Sequence, residues 1–268
     1  MPRPPIVLTV AGSDPSGGAG IQADLKTFSA LGSYGCAVLT SLTAQNTKGV
    51  TGIHAVPADF VAEQISTLFD DVKVDAAKIG MLANASIARA VAQSMRSSMT
   101  CPVVMDPVMV STSGSRLVDD DALDAIRELL PLVAVVTPNV HEAAVLSRRP
   151  LATTTVEMAD QGQALRDLGA QRVLVKGGHI DGPEAVDVWV DADGISEVRG
   201  PWIDTDHTHG TGCTLSAAIA AFYAHEHDWL SSVQKAKTWL NGALVAGADL
   251  GIGHGNGPVH HLYQVWDS

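Results

Sequence analysis

A glycine-rich turn leading directly into a helix is the clearest chemical signal in this sequence. It reads His209-Gly210-Thr211-Gly212-Cys213, and small residues follow it. Two glycines allow a ligand to approach the backbone closely, and the unpaired N–H groups and dipole at a helix start attract anions. Two interpretations fit this pattern, an anion-binding site and an ordinary turn into a buried helix.

Cys213 lies within this turn, where the helix dipole would lower the pKa of its thiol and favour a thiolate. The alternative is a small buried side chain, which is the commoner role of a lone cysteine. Cys36 and Cys101 lie in or beside strand-like runs, so we predict packing roles for both. Three widely spaced cysteines without a Cys-x-x-Cys motif argue against disulfides or a zinc site and favour a reducing cytoplasm.

Oxygen-bearing side chains follow two strand-like runs. Asp106 comes directly after one run, and Asn139 and Glu142 stand three residues apart at a helix start, so their side chains share a face. Oxygen ligands with so little charge suit Mg²⁺, which binds one or two carboxylates together with substrate phosphates. The alternative is a plain helix cap at Asn139 with a first-turn acid at Glu142.

Two lysines could face phosphate. Lys176 ends an apolar run beside Gly177 and Gly178, where a cation can meet phosphate oxygens. The alternative for Lys176 is a packed stem with its charge reaching solvent. Lys237 falls in the middle of a helical pattern, so its position alone predicts solvated surface.

A second glycine-rich segment, residues 12–20, joins a strand to a helix. The sequence contains no Gly-Lys pair, which excludes a Walker A loop. Residues 18–23 fit Gly-x-Gly-x-x-Ala, but no acid occurs between Asp24 and Asp59 to bind the ribose of a dinucleotide. A loop that closes over a polar small molecule fits better.

Strand-like and helical runs alternate along the chain, which predicts βαβ units and a mostly parallel sheet. The predicted strands are Ile6–Ala11, Cys36–Leu42, Val50–Val56, Ala76–Ile79, Val103–Met105, Leu132–Val136 and Arg172–Val175, with an antiparallel pair at Ala185–Val190 and Ile195–Val198. The predicted helices are Ile21–Leu31, Phe60–Phe69 with Asp59 as its N-cap, Ile87–Met95, Leu123–Leu130, Glu142–Leu146, Met158–Leu168, Leu215–Ala224 and Val233–Ala248. Ligands then bind beyond the carboxyl ends of the strands.

Charge and hydropathy exclude several classes of partner. The 268 residues carry a net charge of -12, which argues against nucleic acid and against an anionic membrane surface. We expect no signal peptide and no membrane span, because the first apolar run is brief and no run reaches 18 apolar residues. Without a linker or a repeat, residues 1–268 are predicted to form a single domain.

In combination, the motifs resemble the hydroxymethylpyrimidine/phosphomethylpyrimidine kinases of thiamine biosynthesis, within the ribokinase superfamily. The resemblance covers nearly the whole chain. It is carried by Ala11 to Asp24, Leu42 to Thr47, Lys78 to Leu82, Asp106 to Met109 with Ser113-Gly114, Thr137 to Glu142, Val175 to His179, Thr208 to Ser216 and Gly257 to His261.

The resemblance implies a ribokinase-like three-layer α/β/α fold, an ATP- and Mg²⁺-dependent kinase and a homodimer. The reaction would phosphorylate 4-amino-5-hydroxymethyl-2-methylpyrimidine and then its monophosphate. The residues to which the resemblance assigns roles are Gln45, Gly12, Asp24, Met81 and Val108 at the pyrimidine, Asp106 and Glu142 at Mg²⁺, Asn139, Lys176, Thr211 and Lys237 at the nucleotide, and Gly210, Thr211, Gly212, Cys213 and Lys176 at the reacting groups.

The resemblance leaves two questions open. The wider superfamily usually carries an aspartate base where this chain has Cys213, so Cys213 either accepts the hydroxyl proton or only orients the hydroxyl. A pyridoxine/pyridoxal kinase on the same fold is the alternative enzyme, although the amide of Gln45, both donor and acceptor, suits an aminopyrimidine. A non-catalytic binding protein is a third interpretation, which the retained phosphate-facing residues disfavour.

Overall fold

The computed structural model describes residues 3–109, 120–178 and 184–266, which form a nine-stranded sheet. In chain order its strands are β1 (Ile6–Ser13), β2 (Tyr34–Asn46), β3 (Gly49–Ala55), β4 (Ala76–Ile79), β5 (Val103–Met105), β6 (Val135–Val136), β7 (Val173–Val175), β8 (Glu184–Val190) and β9 (Ile195–Pro201). Ser113, Gly114 and His179, which contribute to the family resemblance, lie outside the described residues.

The sheet has the order β3-β2-β1-β4-β5-β6-β7-β8-β9. The six strands from β2 to β7 in this order are parallel, whereas β3, β8 and β9 pair antiparallel with their neighbours. The predicted mostly parallel sheet is therefore confirmed, as is the antiparallel pair β8–β9, whose turn closes with Asp191 N donating to Gly194 O at 3.0 Å.

Helices cover both faces of the sheet because parallel strands need crossover connections. In chain order the helices are α1 (Gly20–Ala30), α2 (Ala58–Asp71), α3 (Ala85–Ser97), α4 (Asp120–Arg127), α5 (Val140–Ser147), α6 (Thr155–Asp167), α7 (Thr211–Glu226) and α8 (Trp229–Gly247). Helices α1, α7 and α8 pack into one apolar core, and α2 to α6 pack into the other. This is the three-layer α/β/α fold that the resemblance implies. Among the described helices, none has the length and apolar character needed to cross a membrane.

The structure corrects two predicted elements. Helix α2 begins at Ala58 with Pro57 as its N-cap, so the prediction that Asp59 is the cap is wrong; Asp59 lies in the first turn. The predicted strand Leu132–Val136 is also too long, because Leu130–Leu132 forms a 3₁₀ turn and only Val135–Val136 pairs in the sheet. In both places a proline fixes the backbone locally and shifts the boundary.

Backbone hydrogen bonds hold the carboxyl ends of the central strands side by side. Asp106 N donates to Ile79 O at 2.9 Å, Thr137 N to Met105 O at 2.9 Å, and Lys176 N to Pro138 O at 2.8 Å. Residues that are 70 positions apart in the chain thereby meet at one edge of the sheet.

A salt bridge lies fully inside the protein, behind this edge. Lys78 on β4 and Asp24 on α1 both have 0% exposed side chains, and Lys78 Nζ lies 2.9 Å from Asp24 Oδ2. Thr9 on β1 also donates to Asp24 Oδ2, at 2.6 Å. The pair therefore ties α1 to two neighbouring strands, and each charge is tolerated because the other is present.

We expect Lys78→Met to lower the free energy of unfolding by about 3–5 kcal/mol, because Asp24 remains buried without its cation. Urea denaturation measures this loss. Adding Asp24→Asn should recover part of it, since the amide keeps an acceptor for Thr9 without a charge.

The matched control is Lys73→Met, at an exposed position just before β4. It should change the free energy of unfolding by no more than about 0.5 kcal/mol. An unchanged denaturation midpoint in Lys78→Met would show that the buried pair does not support the fold.

Candidate active site

A cavity of about 1030 Å³ opens at the carboxyl edge of the sheet. It extends from the end of β2 across the ends of β1, β5, β6 and β7 to the start of α7 and the middle of α8. Among the predicted site residues, those lining it are Gly12, Gln45, Met81, Asp106, Val108, Asn139, Glu142, Lys176, Gly210, Thr211, Gly212, Cys213 and Lys237. Its volume is at the upper end of the range for small-molecule sites, about 300–1,000 Å³.

Glycine is required at Gly210, in the turn before α7, and it allows a close approach at Gly212, in the first turn of the helix. Gly210 has φ 78°, and a Cβ on it would lie 1.8 Å from Gly18 O. A Cβ on Gly212 would lie 3.2 Å from both Asp106 Oδ2 and Lys176 Nζ. The N-terminus of α7, where N–H groups lack acceptors within the helix, therefore lies directly against a charged pair.

That pair joins the ends of β5 and β7. Lys176 Nζ lies 2.7 Å from Asp106 Oδ1, with side-chain exposures of 14% and 2%. Burial by itself would lower the pKa of Lys176, but the negative charges of Asp106 and Glu142 outweigh it and hold the pKa above its ordinary value. Lys176 is therefore a permanent cation facing the cavity.

Asn139 and Glu142 form a capping box at the start of α5 and also line the cavity. Asn139 N donates to Glu142 Oε2 at 2.8 Å, and Glu142 N donates to Asn139 Oδ1 at 2.9 Å. The helix-cap interpretation is thus confirmed for both residues. Burial raises the pKa of Glu142 to about 7; the negative charge of Asp106 adds to the rise, and Lys176 opposes it.

Cys213 lies in the first turn of α7 and lines the cavity together with Gly20, the first residue of α1. The side chain is partly exposed to the cavity but otherwise enclosed by protein. Burial raises its pKa above the ordinary value; Lys78 and Gly20 oppose the rise, and Asp24 and Asp106 reinforce it. The direction is opposite to the expected lowering of this pKa, because burial, which disfavours the thiolate, is the largest influence on the thiol.

The end of the cavity near β1 and β2 holds the residues that the resemblance assigns to the pyrimidine. Thr43 Oγ1 donates to Gln45 Oε1 at 3.1 Å and orients the amide. A Cβ on Gly12 would lie 2.8 Å from Met81 Cε, so glycine is what allows Met81 to lie against β1. Val108, just after β5, is half-buried at the same cavity.

Asp24 does not line this cavity, which corrects the expectation that it lies in the pyrimidine pocket. Its carboxylate is fully enclosed between Lys78 and Thr9. Burial raises its pKa, against the opposing influence of Lys78 and Thr9. Asp24 influences the site only indirectly. Its salt bridge fixes the position of α1, and its negative charge raises the pKa of the nearby Cys213 thiol.

Lys237 lies on α8 and points into the fold instead of into solvent. Its Nζ lies 2.6 Å from Asp187 Oδ2, and its side chain is 7% exposed. The prediction of a solvated surface lysine is therefore wrong. The sequence analysis did not identify Asp187 as the partner of Lys237, although a signal was present. Asp187 is the single acid within the apolar run Ala185–Val190.

A contact between the two glycine-rich segments was also missed. Asp14 Oδ2 lies 2.8 Å from His209 Nε2 and accepts from Ala19 N at 2.9 Å. Burial would raise the pKa of Asp14, but hydrogen bonds from His209 and Ser16 hold it below its usual value. Both residues belong to motifs that the sequence singled out, but nothing local shows that residues 195 positions apart pair.

The geometry places a helix N-terminus, a half-buried cation, two carboxylates and a thiol around one cavity. Such an arrangement can hold a phosphorylated ligand at α7 and Lys176 and a second small molecule near Gln45 and Met81.

Comparison with known proteins agrees with this geometry. Residues 14–260 match the family model described as phosphomethylpyrimidine kinase. The hydroxymethylpyrimidine/phosphomethylpyrimidine kinase of Escherichia coli strain K12 is 49% identical over 260 residues, covering 97% of this chain and 98% of the relative.

Two solved structures are similar along most of the chain. A Bacillus subtilis pyridoxal kinase in complex with ADP has a TM-score of 0.88 and 34% identity, covering 97% of this chain and 98% of the other. A phosphomethylpyrimidine kinase from Clostridium difficile 630 has a TM-score of 0.79 and 37% identity, covering 88% and 98%. By its sequence and by the family model that spans it, this chain belongs to the phosphomethylpyrimidine kinase family.

Proposed function

We propose that this protein phosphorylates 4-amino-5-hydroxymethyl-2-methylpyrimidine with ATP and then phosphorylates the monophosphate, for thiamine biosynthesis. One observation supports this above all: consecutive residues at the start of α7 touch both halves of the cavity. Gly212 lies against the Asp106–Lys176 pair, and Cys213 lines the cavity together with Gly20 of the other glycine-rich segment. A phosphate donor and an alcohol acceptor bound in the two halves would meet at this point.

Gln45 is proposed to recognise the pyrimidine edge. An amide offers a donor and an acceptor side by side, which is the complement of a ring nitrogen next to an amino group. The hydroxyl of Thr43 lies behind the amide and shares its one hydrogen between Gln45 Oε1 at 3.1 Å and Ser13 O at 2.9 Å. The recognition group is therefore held in place before the substrate binds, which lowers the entropic cost of binding.

Phosphoryl transfer has a loose transition state and depends on positioning and charge stabilisation more than on a strong base. Lys176 and the N-terminus of α7 would stabilise the charge on the transferred group. With its raised pKa, Cys213 is a neutral thiol at neutral pH. We therefore propose that Cys213 orients the substrate hydroxyl and is not a preformed thiolate base.

Asp106 and Glu142 fit the requirements of Mg²⁺. Both carboxylates are buried, both line the cavity, and the charge of Asp106 raises the pKa of Glu142. A divalent cation relieves this repulsion and, when bound, neutralises phosphate oxygens. Among the described residues no group of three or more His, Cys, Asp or Glu side chains is arranged to hold a metal, so phosphates and water would supply the remaining ligands.

We further propose that the enzyme is a single kinase domain, acts in the cytoplasm and forms a homodimer. The three cysteines are free, which suits a reducing compartment. The homodimer rests on the family resemblance, and sedimentation of the purified chain tests it directly.

Pyridoxal is the second candidate substrate, because a pyridoxal kinase shares this fold with a TM-score of 0.88. Both alcohols carry a hydroxymethyl group on a six-membered nitrogen ring. They differ at the edge that would face Gln45, where pyridoxal lacks the aminopyrimidine pattern.

Turnover with ATP and Mg²⁺ tests the proposal. We expect mass spectrometry to detect the pyrimidine monophosphate first and the diphosphate later. The value of kcat/KM for the pyrimidine should exceed that for pyridoxal by about tenfold or more, because pyridoxal leaves the polar groups of Gln45 without matching partners. A preference for pyridoxal would reverse the assignment, and no product from either alcohol would remove the kinase proposal.

Replacing Cys213 tests the role of the thiol. We expect Cys213→Ala to lower kcat by about 100-fold with little change in KM, because the hydroxyl loses its orienting partner. Cys213→Ser keeps a group that can orient the hydroxyl, so it should retain most of kcat.

The thiol's raised pKa predicts that alkylation of Cys213 by iodoacetamide is slow at pH 7 and accelerates up to and beyond pH 9. Peptide mass spectrometry follows this reaction, with the urea-unfolded chain as the control. Rapid alkylation at pH 7, at a rate that does not increase at higher pH, would establish a thiolate and restore the role of Cys213 as a base.

Gln45→Ala tests pyrimidine recognition. We expect KM for the pyrimidine to rise about ten- to a hundredfold, because two hydrogen bonds are lost, while KM for ATP stays unchanged. The matched control is Asn46→Ala, which removes the neighbouring exposed amide on β2. Equal effects of the two substitutions would count against a specific role for Gln45.

A further inference from the structure

Asp187 is a buried acid on β8 to which none of the roles above is assigned, although it lines the cavity. Both of its oxygens have partners. Oδ2 accepts from Lys237 Nζ at 2.6 Å, and Oδ1 accepts from Gly177 N at 2.9 Å. The carboxylate of Asp187 thus contacts the side chain of Lys237 on α8 and the backbone of Gly177 just after β7.

The backbone contact bears directly on Lys176, the residue before Gly177. A Cβ on Gly177 would lie 1.8 Å from Val186 O, so the peptide after Lys176 packs tightly on β8. Asp187 holds the N–H of that same peptide. The lysine whose ammonium group faces Asp106 is therefore fixed at its own backbone by Asp187.

The side-chain contact determines where the ammonium group of Lys237 lies. The lysine stem passes β9 at Gly200, where a Cβ would lie 3.0 Å from Lys237 Cε. A flexible lysine is kept at 7% exposure along this path. Burying an ammonium group is costly without a paired charge, so Lys237 would leave this position if Asp187 lost its charge.

We propose that Asp187 is a positioning residue that sets the placement of both Lys176 and Lys237 for the nucleotide phosphates. It acts through the two lysines and does not itself touch the transferred group. This inference rests on the proposed function in one respect, namely that a nucleotide occupies the half of the cavity beside these lysines.

A double-mutant cycle separates the two contacts. Asp187→Asn keeps an oxygen acceptor for Gly177 N but removes the charge that holds Lys237. We expect it to weaken ADP binding by about ten- to a hundredfold in calorimetry of the full chain, with KM for the alcohol unchanged. In a Lys237→Met background, Asp187→Asn should add less than about twofold, because its partner is already gone.

Asp187→Ala removes the acceptor for Gly177 as well. We expect it to lower kcat beyond the effect of Asp187→Asn, also in the Lys237→Met background, because Lys176 is then displaced from Asp106. Asp193→Asn, at an exposed acid on the β8–β9 turn, is the matched control and should bind ADP like the unmodified chain.

Three results would overturn the proposal. The first is unchanged ADP affinity in both Asp187 variants with only a lower melting temperature, which would make Asp187 purely structural. The second is a loss of ADP affinity in the Asp187→Asn, Lys237→Met double variant that equals the product of the losses in the two single variants. The third is an equal loss in the Asp193 control. If the unmodified chain binds ADP but phosphorylates no pyrimidine, the proposed function fails while the ADP cycle still decides the role of Asp187.

Discussion

Pairing of buried charges is the constraint on which the active-site edge of this protein depends. Lysines lie inside or nearly inside the protein at three places, and each meets an aspartate from a different element. The pairs are Lys78–Asp24, Lys176–Asp106 and Lys237–Asp187. Since an unpaired buried ion is strongly destabilising, each pair fixes two elements relative to each other. Helices α1 and α8, the ends of β4, β5 and β7 and the middle of β8 are thereby held around one cavity.

Close backbone approach is the second requirement, and glycine supplies it. The turn before α7 can reach both the Asp106–Lys176 pair and the other glycine-rich segment because neither Gly210 nor Gly212 carries a side chain. Gly210 also adopts a positive φ, which a side chain would disfavour. The N-terminal end of α7 thus lies next to the Lys176 cation without an intervening side chain.

The enclosure that strengthens these electrostatic contacts also determines the state of the thiol. A low-dielectric site makes Lys176 more effective toward phosphate, but it makes a thiolate at Cys213 more costly. The two outcomes are compatible in phosphoryl transfer, because a loose transition state requires little base strength from the group beside the hydroxyl. A neutral thiol is therefore a sufficient neighbour for the acceptor alcohol.

The sequence by itself determined the alternation of strands and helices, and with it the mostly parallel sheet and the edge where ligands bind. Local signals, namely a glycine turn and polar residues after apolar strands, marked the turn at Gly210 to Cys213, Asp106, Asn139, Glu142 and Lys176. The family resemblance supplied Gln45, Gly12, Met81, Val108 and Lys237. Helix α2 began at Ala58 instead of after Asp59, since neighbouring residues such as Pro57 compete for the cap. Partners far apart in the chain were decided only by the tertiary structure. Asp24 faces Lys78 instead of the cavity, Lys237 turns inward to Asp187, and burial raises the pKa of the Cys213 thiol. Each of these outcomes depends on burial and on charges contributed by distant elements. Local sequence can mark an acid within an apolar run, as at Asp187, but it does not show which distant residue pairs with it.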